Sequence, residues 1–79
     1  MRKADLGQVL STIPGYVSDI TYGLMGETGR TPRFPSVFKR LKDELKYDGI
    51  DFKSLNESEK AEIEAMARDV FDGIKEAGF

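Results

Sequence analysis

Along the first part of the chain the apolar residues fall at helical spacing. Leu6, Val9, Leu10 and Ile13 follow the i, i+3, i+4, i+7 rhythm of one helix stripe, which predicts a helix from about Ala4 to Ile13. Pro14 and Gly15 then interrupt the pattern. Pro14 suits the first position of a second helix, where its missing N–H leaves no bond unmade, with Ser11 or Thr12 near the cap. In that second segment Val17, Ile20, Leu24 and Tyr16 share one side, and Ser18, Asp19 and Tyr22 the other. It is expected to end near Met25, with Gly26 in the left-handed conformation that closes many helices.

Residues 26–35 contain two glycines and two prolines and show neither a helical nor an alternating period, so they read as a loop. From Pro35 the helical period returns. Val37, Phe38, Leu41 and Leu45 point one way, Lys39, Arg40, Lys42, Asp43, Glu44 and Lys46 the other, and Asp48-Gly49 is the stop. Ile50 and Phe52 alternate with Asp51 and Lys53 for too few residues to make a sheet, and are expected to plug the core from a connector. In the last segment Ile63, Met66, Ala67, Val70, Ile74 and Ala77 repeat at spacings of three and four. Ser54–Glu57 and Asn56–Glu59 each resemble a capping box, so a helix of about 31 Å is expected over Glu57 to Ala77, with Gly78 as its stop. The expected fold is all-α: one domain spanning 1–79, a compact bundle of about four helices. Its centre is expected at Phe38, Leu41, Leu45, Ile63, Met66, Val70 and Ile74, with the long C-terminal helix as the spine and a loop at 26–35.

Composition narrows what such a bundle can do. At 79 residues the chain is small enough to bury only about 60% of its unfolded surface, yet it has no Cys for a disulfide and neither Cys nor His for structural zinc. Packing alone is left to hold it. The same absences remove thiol and imidazole nucleophiles and histidine general bases, so a non-enzymatic protein without metal or cofactor is expected. No apolar run has the length of a membrane span, and Asp5, Gly7 and Gln8 break any secretory signal after Arg2 and Lys3, so a cytoplasmic location is expected.

Charge supplies the sharpest local signal, which the net value of −2 conceals. Residues 1–39 hold five basic and three acidic side chains, residues 40–79 seven and eleven. Between 28 and 42 Arg30, Arg33, Lys39, Arg40 and Lys42 occur with no acid at all. Arg30 and Arg33 flank the loop that leads to Phe34, so planar guanidinium donors and an aromatic ring are candidates to meet an acidic partner or a phosphate. The plainer alternative is a solvated basic face with Phe34 folded into the core.

Other constellations carry less. Glu57, Glu59, Glu62 and Glu64 are acids near a helix start, favoured there by the helix dipole without any site. Gly26–Thr31 departs from a phosphate-binding loop, with Arg30 where Lys is required and a helix in place of the preceding strand. Ser36 at a helix start, with the chain's length and acidity, resembles the acyl carrier proteins. The Asp-Ser-Leu signature of that family is here Pro35-Ser36-Val37 and the helix that follows is basic, so no property is carried over.

These features predict a small binding protein that recognises a macromolecular partner, a protein or nucleoprotein complex, through Arg30, Arg33, Phe34, Lys39, Arg40 and Lys42. Small cysteine-free acidic proteins of this kind include phage-type inhibitors of host systems. The alternative is a helix-turn-helix DNA binder that places the basic helix in a major groove. Against it stand a preceding loop of about ten residues where that motif uses three or four, and a pI near 5.1.

Overall fold

Pro14 lies inside a helix. In the computed structural model, which describes residues 6–78, α1 runs unbroken over Leu6–Thr28, so the two expected N-terminal helices are one and the bundle has three helices instead of four. Residues 4 and 5 of the first expected helix fall outside the described residues. The reason lies in the buried row Val9, Ile13, Val17, Thr21, which advances by four residues on both sides of Pro14 while Pro14 and Gly15 face solvent. A proline in a helix interior costs about 3 kcal/mol through its lost hydrogen bond. Burying each of Val9, Ile13 and Val17 returns about 1.5–3 kcal/mol, and a break at Pro14 would put half the row out of register.

α1 also passes the stop expected at Gly26. It ends where Gly29 turns left-handed, at φ +69°, and donates its N–H to the Met25 carbonyl at 2.8 Å. Thr28 Oγ1 donates to the Leu24 carbonyl at 2.9 Å and accepts the Arg30 N–H at 3.2 Å, fixing the exit of the chain. The expected ten-residue loop therefore shrinks to residues 29–33.

α2 spans Phe34–Tyr47 and begins one residue before Pro35, with extended Arg33 as N-cap accepting the Ser36 and Val37 N–H groups at its carbonyl. It stops at Asp48-Gly49 as expected. Gly49 takes φ +89°, its N–H reaches the Lys46 carbonyl, and the Ile50 N–H reaches the Leu45 carbonyl at 2.9 Å, a Schellman motif whose Ile50 and Leu45 side chains are both buried. Asp51 accepts from the Lys53 N–H and from Ser54 Oγ, closing a 3₁₀ turn at Phe52–Ser54. Ser54 is thus spent on that turn and caps no helix. The capping box that forms is Asn56–Glu59: Asn56 Oδ1 accepts the Glu59 N–H at 2.8 Å and Glu59 Oε1 accepts the Asn56 N–H at 3.0 Å. It opens α3, Glu57–Gly78.

α1, not the C-terminal helix, is the spine, since it packs along both other helices while α2 and α3 share a smaller contact. Tyr16 meets Asp48 and Glu27 meets Arg40, so α2 runs back along α1. Phe34, at the start of α2, touches Phe71 late in α3, which gives an up-down-up bundle. Leu41, Leu45 and Ile63 are fully buried as expected, but Phe38, Met66, Val70 and Ile74 are only half-buried at the rim. On α3 the centre is Ile63, Ala67 and Phe71, one row over, and Phe71 was not among the expected core residues.

Two outcomes test this packing by chemical denaturation. Phe71→Ala should cost about 3–5 kcal/mol, clearly more than Val70→Ala, reversing the order that the sequence pattern implies. On the solvent side of α1 an added Cβ at Gly23 or Gly26 meets nothing within 4 Å. Gly23→Ala and Gly26→Ala should therefore each stabilise the protein by about 0.5–1 kcal/mol.

Candidate functional site

All four described phenylalanines meet ring to ring around the N-terminal half of α2. Phe34 and Phe38 stack at 5.5 Å, Phe71 meets Phe34 edge-on at 5.7 Å, and Phe52 extends the array by meeting Phe38 edge-on at 5.5 Å. Two cations lie over the array. The Arg68 guanidinium lies 4.3 Å from the Phe34 ring centre, and Lys42 Nζ lies 5.3 Å from that of Phe38 and 5.6 Å from that of Phe52. The array fixes where the charged residues of the 28–42 segment can point.

The six residues singled out in the sequence consequently do not form one surface. Phe34 is only 7% exposed and packs into the core, with little of its ring left at the surface. Arg40 and Lys42, two residues apart on a helix of 3.6 residues per turn, stand on opposite flanks of α2. Arg40 turns to α1 and pairs with Glu27 at 3.7 Å, an exposed contact worth at most about 1 kcal/mol. Lys42 is occupied by the aromatic rings. Lys39 is exposed on the Lys42 side. Arg30 and Arg33 are exposed on the loop and, like Lys39, make no ion pair or side-chain hydrogen bond with any described residue.

Arg33 instead shares a groove with α3. The segment Thr31–Phe34 and residues 68–75 of α3 enclose an open concavity of about 630 Å³, lined by Pro32, Arg33, Phe34, Arg68, Phe71, Asp72 and Lys75 among others. Arg68 and Lys75 were missed because each stands among the acids of the C-terminal half. Only the contact of Phe34 with Phe71 brings them beside Arg33. The signal present in the sequence was the spacing Ile63, Ala67, Phe71, which sets Arg68, Asp72 and Lys75 along one edge of α3. A second hollow of about 620 Å³ lies between side chains of α2 alone, from Arg40 to Tyr47.

The acids Glu57, Glu62 and Glu64 are exposed, whereas Glu59 is buried as a cap, so the cap and the helix dipole account for them. Among the described residues no group of acids is arranged to hold a metal ion, and no helix is long and apolar enough to cross a membrane. Comparison with protein families, curated proteins and solved structures finds no match to this chain.

One titration is linked to the fold. The Tyr16 hydroxyl donates to Asp48 Oδ2 at 2.5 Å, tying α1 to the C-cap of α2. That hydrogen bond, then desolvation and the negative charges of Asp48 and Glu44, push Tyr16 ionisation above the ordinary value of 10.0. A raised folded-state pKa contributes stability that is complete below the unfolded value and is lost as pH climbs through the folded one. Thermal melts should therefore show a decline in stability above about pH 10 that Tyr16→Phe reduces.

Proposed function

We infer that this is a non-enzymatic binding protein whose partner-facing surface is the loop that carries Arg30 and Arg33. The observation behind the reading is that both guanidinium groups are exposed and have no acidic partner among the described residues, on a loop anchored at both ends by Thr28, Gly29 and the start of α2. Planar donors held on a fixed backbone lose little freedom on meeting a carboxylate or phosphate, and that favours recognition. A protein or nucleoprotein partner fits better than bare duplex DNA. The five-residue link between α1 and α2 is close to the length of a helix-turn-helix turn, but the two helices lie side by side from Glu27–Arg40 to Tyr16–Asp48, where that motif crosses at about 90–120°. Asp43 also occupies the side of α2 opposite the Leu41–Leu45 stripe, the face a recognition helix turns into the negatively charged major groove. Inhibition of a host process by a small acidic phage-type protein is one setting for such binding, and the protein would work there without a cofactor and in the cytoplasm.

Arg30→Glu/Arg33→Glu should leave the melting temperature nearly unchanged, since exposed charges contribute little. Capture of a nuclease-resistant partner from a cell lysate should fall at least about a hundredfold, roughly 3 kcal/mol. Equal capture by the variant would remove the loop from consideration. Tight binding to a 20-base-pair duplex at about 150 mM salt, with a log-log salt slope of about −3 to −5, would favour the DNA-binding alternative.

A further inference from the structure

The groove between residues 31–34 and α3 has the composition of a receptor for a charged peptide. Its apolar lining is Pro32 with the nearly buried Phe34 and Phe71. Its walls carry Arg33, Arg68 and Lys75 against one acid, Asp72. None of these three cations forms an ion pair with a described residue, although α3 also bears Asp69 and Glu76 close by in sequence. Arg68 is the best prepared of them. With the Phe34 ring 4.3 Å from its centre, one face of the guanidinium is covered, while its N–H edge makes no hydrogen bond to any described residue. A guanidinium held against a ring keeps its in-plane donors for an oxyanion and has fewer rotamers to lose on binding one.

We propose that this groove binds an acidic peptide segment of the protein partner, one carboxylate accepting from Arg68 and Arg33 while a neighbouring apolar side chain rests on Pro32, Phe34 and Phe71. This rests on the binding reading above and names the chemistry of its partner. Asp72 favours a peptide over a nucleic acid. A peptide can space its carboxylates away from Asp72 and donate backbone N–H groups to it, whereas a phosphodiester chain brings a negative charge at every nucleotide past the same carboxylate. Phe34 and Phe71, 7% and 4% exposed, leave no ring face open on which a base could stack.

Three probes decide it: a fluorescent peptide of alternating leucine, glutamate, phenylalanine and glutamate, its glutamine counterpart, and a single-stranded oligo-dT 12-mer. Amide chemical-shift changes on the intact protein should centre on residues 31–34 and 68–75 with the glutamate peptide. Affinity should be at least tenfold weaker for the glutamine peptide. Arg68→Gln and Lys75→Glu should each weaken the glutamate peptide about tenfold or more, and Lys75→Glu, which touches no ring, should do so with an unchanged melting curve. No shift at the groove at millimolar peptide, equal affinity for the glutamine peptide, or stronger binding of the oligonucleotide would each overturn the proposal. Partner capture that is lost in Arg30→Glu/Arg33→Glu but kept in Lys75→Glu would sink the groove alone and leave the binding reading standing.

Discussion

On each of the three helices a buried row advances by four residues, joined on α2 by Phe34 one turn before the row, and the packing of the molecule follows from these rows. On α1 the row is Val9, Ile13, Val17, Thr21, on α2 Val37, Leu41, Leu45, and on α3 Glu59, Ile63, Ala67, Phe71. Such rows run at about 26° to the helix axis, so they wind around it as they go and the rim residues change from one turn to the next. With no cysteine in the chain, no disulfide supplements the contacts along these rows, and the ends of the rows are where polar groups enter. Glu59 ends one row in its capping box. Thr21 ends another with a buried hydroxyl that has no hydrogen-bond partner among the described residues, a cost of about 1–3 kcal/mol borne by the surrounding burial.

The aromatic array couples that core to the surface. Because Phe34 is held between Phe38 and Phe71, the backbone of residues 31–34 is fixed beside α3, and cations remote in sequence come to share one groove. The Phe34 ring, a candidate contact residue in the sequence, lies under the Arg68 guanidinium. Packed apolar groups thereby hold a few polar ones in fixed positions at the surface.

Helical class, the stop at Gly49, the capping box before α3 and the fully buried Leu41, Leu45 and Ile63 were legible in the sequence because each is a local signal. Pro14 was read wrongly because local propensity and the four-residue row disagree there, and tertiary burial outweighs one lost hydrogen bond. Gly26 was a valid stop that the chain did not need, since Glu27 and Thr28 find partners by continuing the helix. Of the candidate site, Arg30 and Arg33 could be read from composition on a loop. Arg68 and Lys75 could not, because nothing near them in sequence marks them, and only the pairing of α2 with α3 sets them opposite Arg33.

α1 has an unusual standing for a central element. It holds Gly7, Gly15, Gly23, Gly26 and Pro14, lacks an acid in its first turn and a base in its last, and carries β-branched residues along its buried row. α3 has Glu57 and Glu59 at its start and Lys75 at its end. By intrinsic preference α3 is the helix that forms readily and α1 the one that needs neighbours. During synthesis the order is the reverse of what that requires. α1 precedes α3 in the chain, so the helix that depends most on its neighbours is made before the helix with which it shares its largest contact.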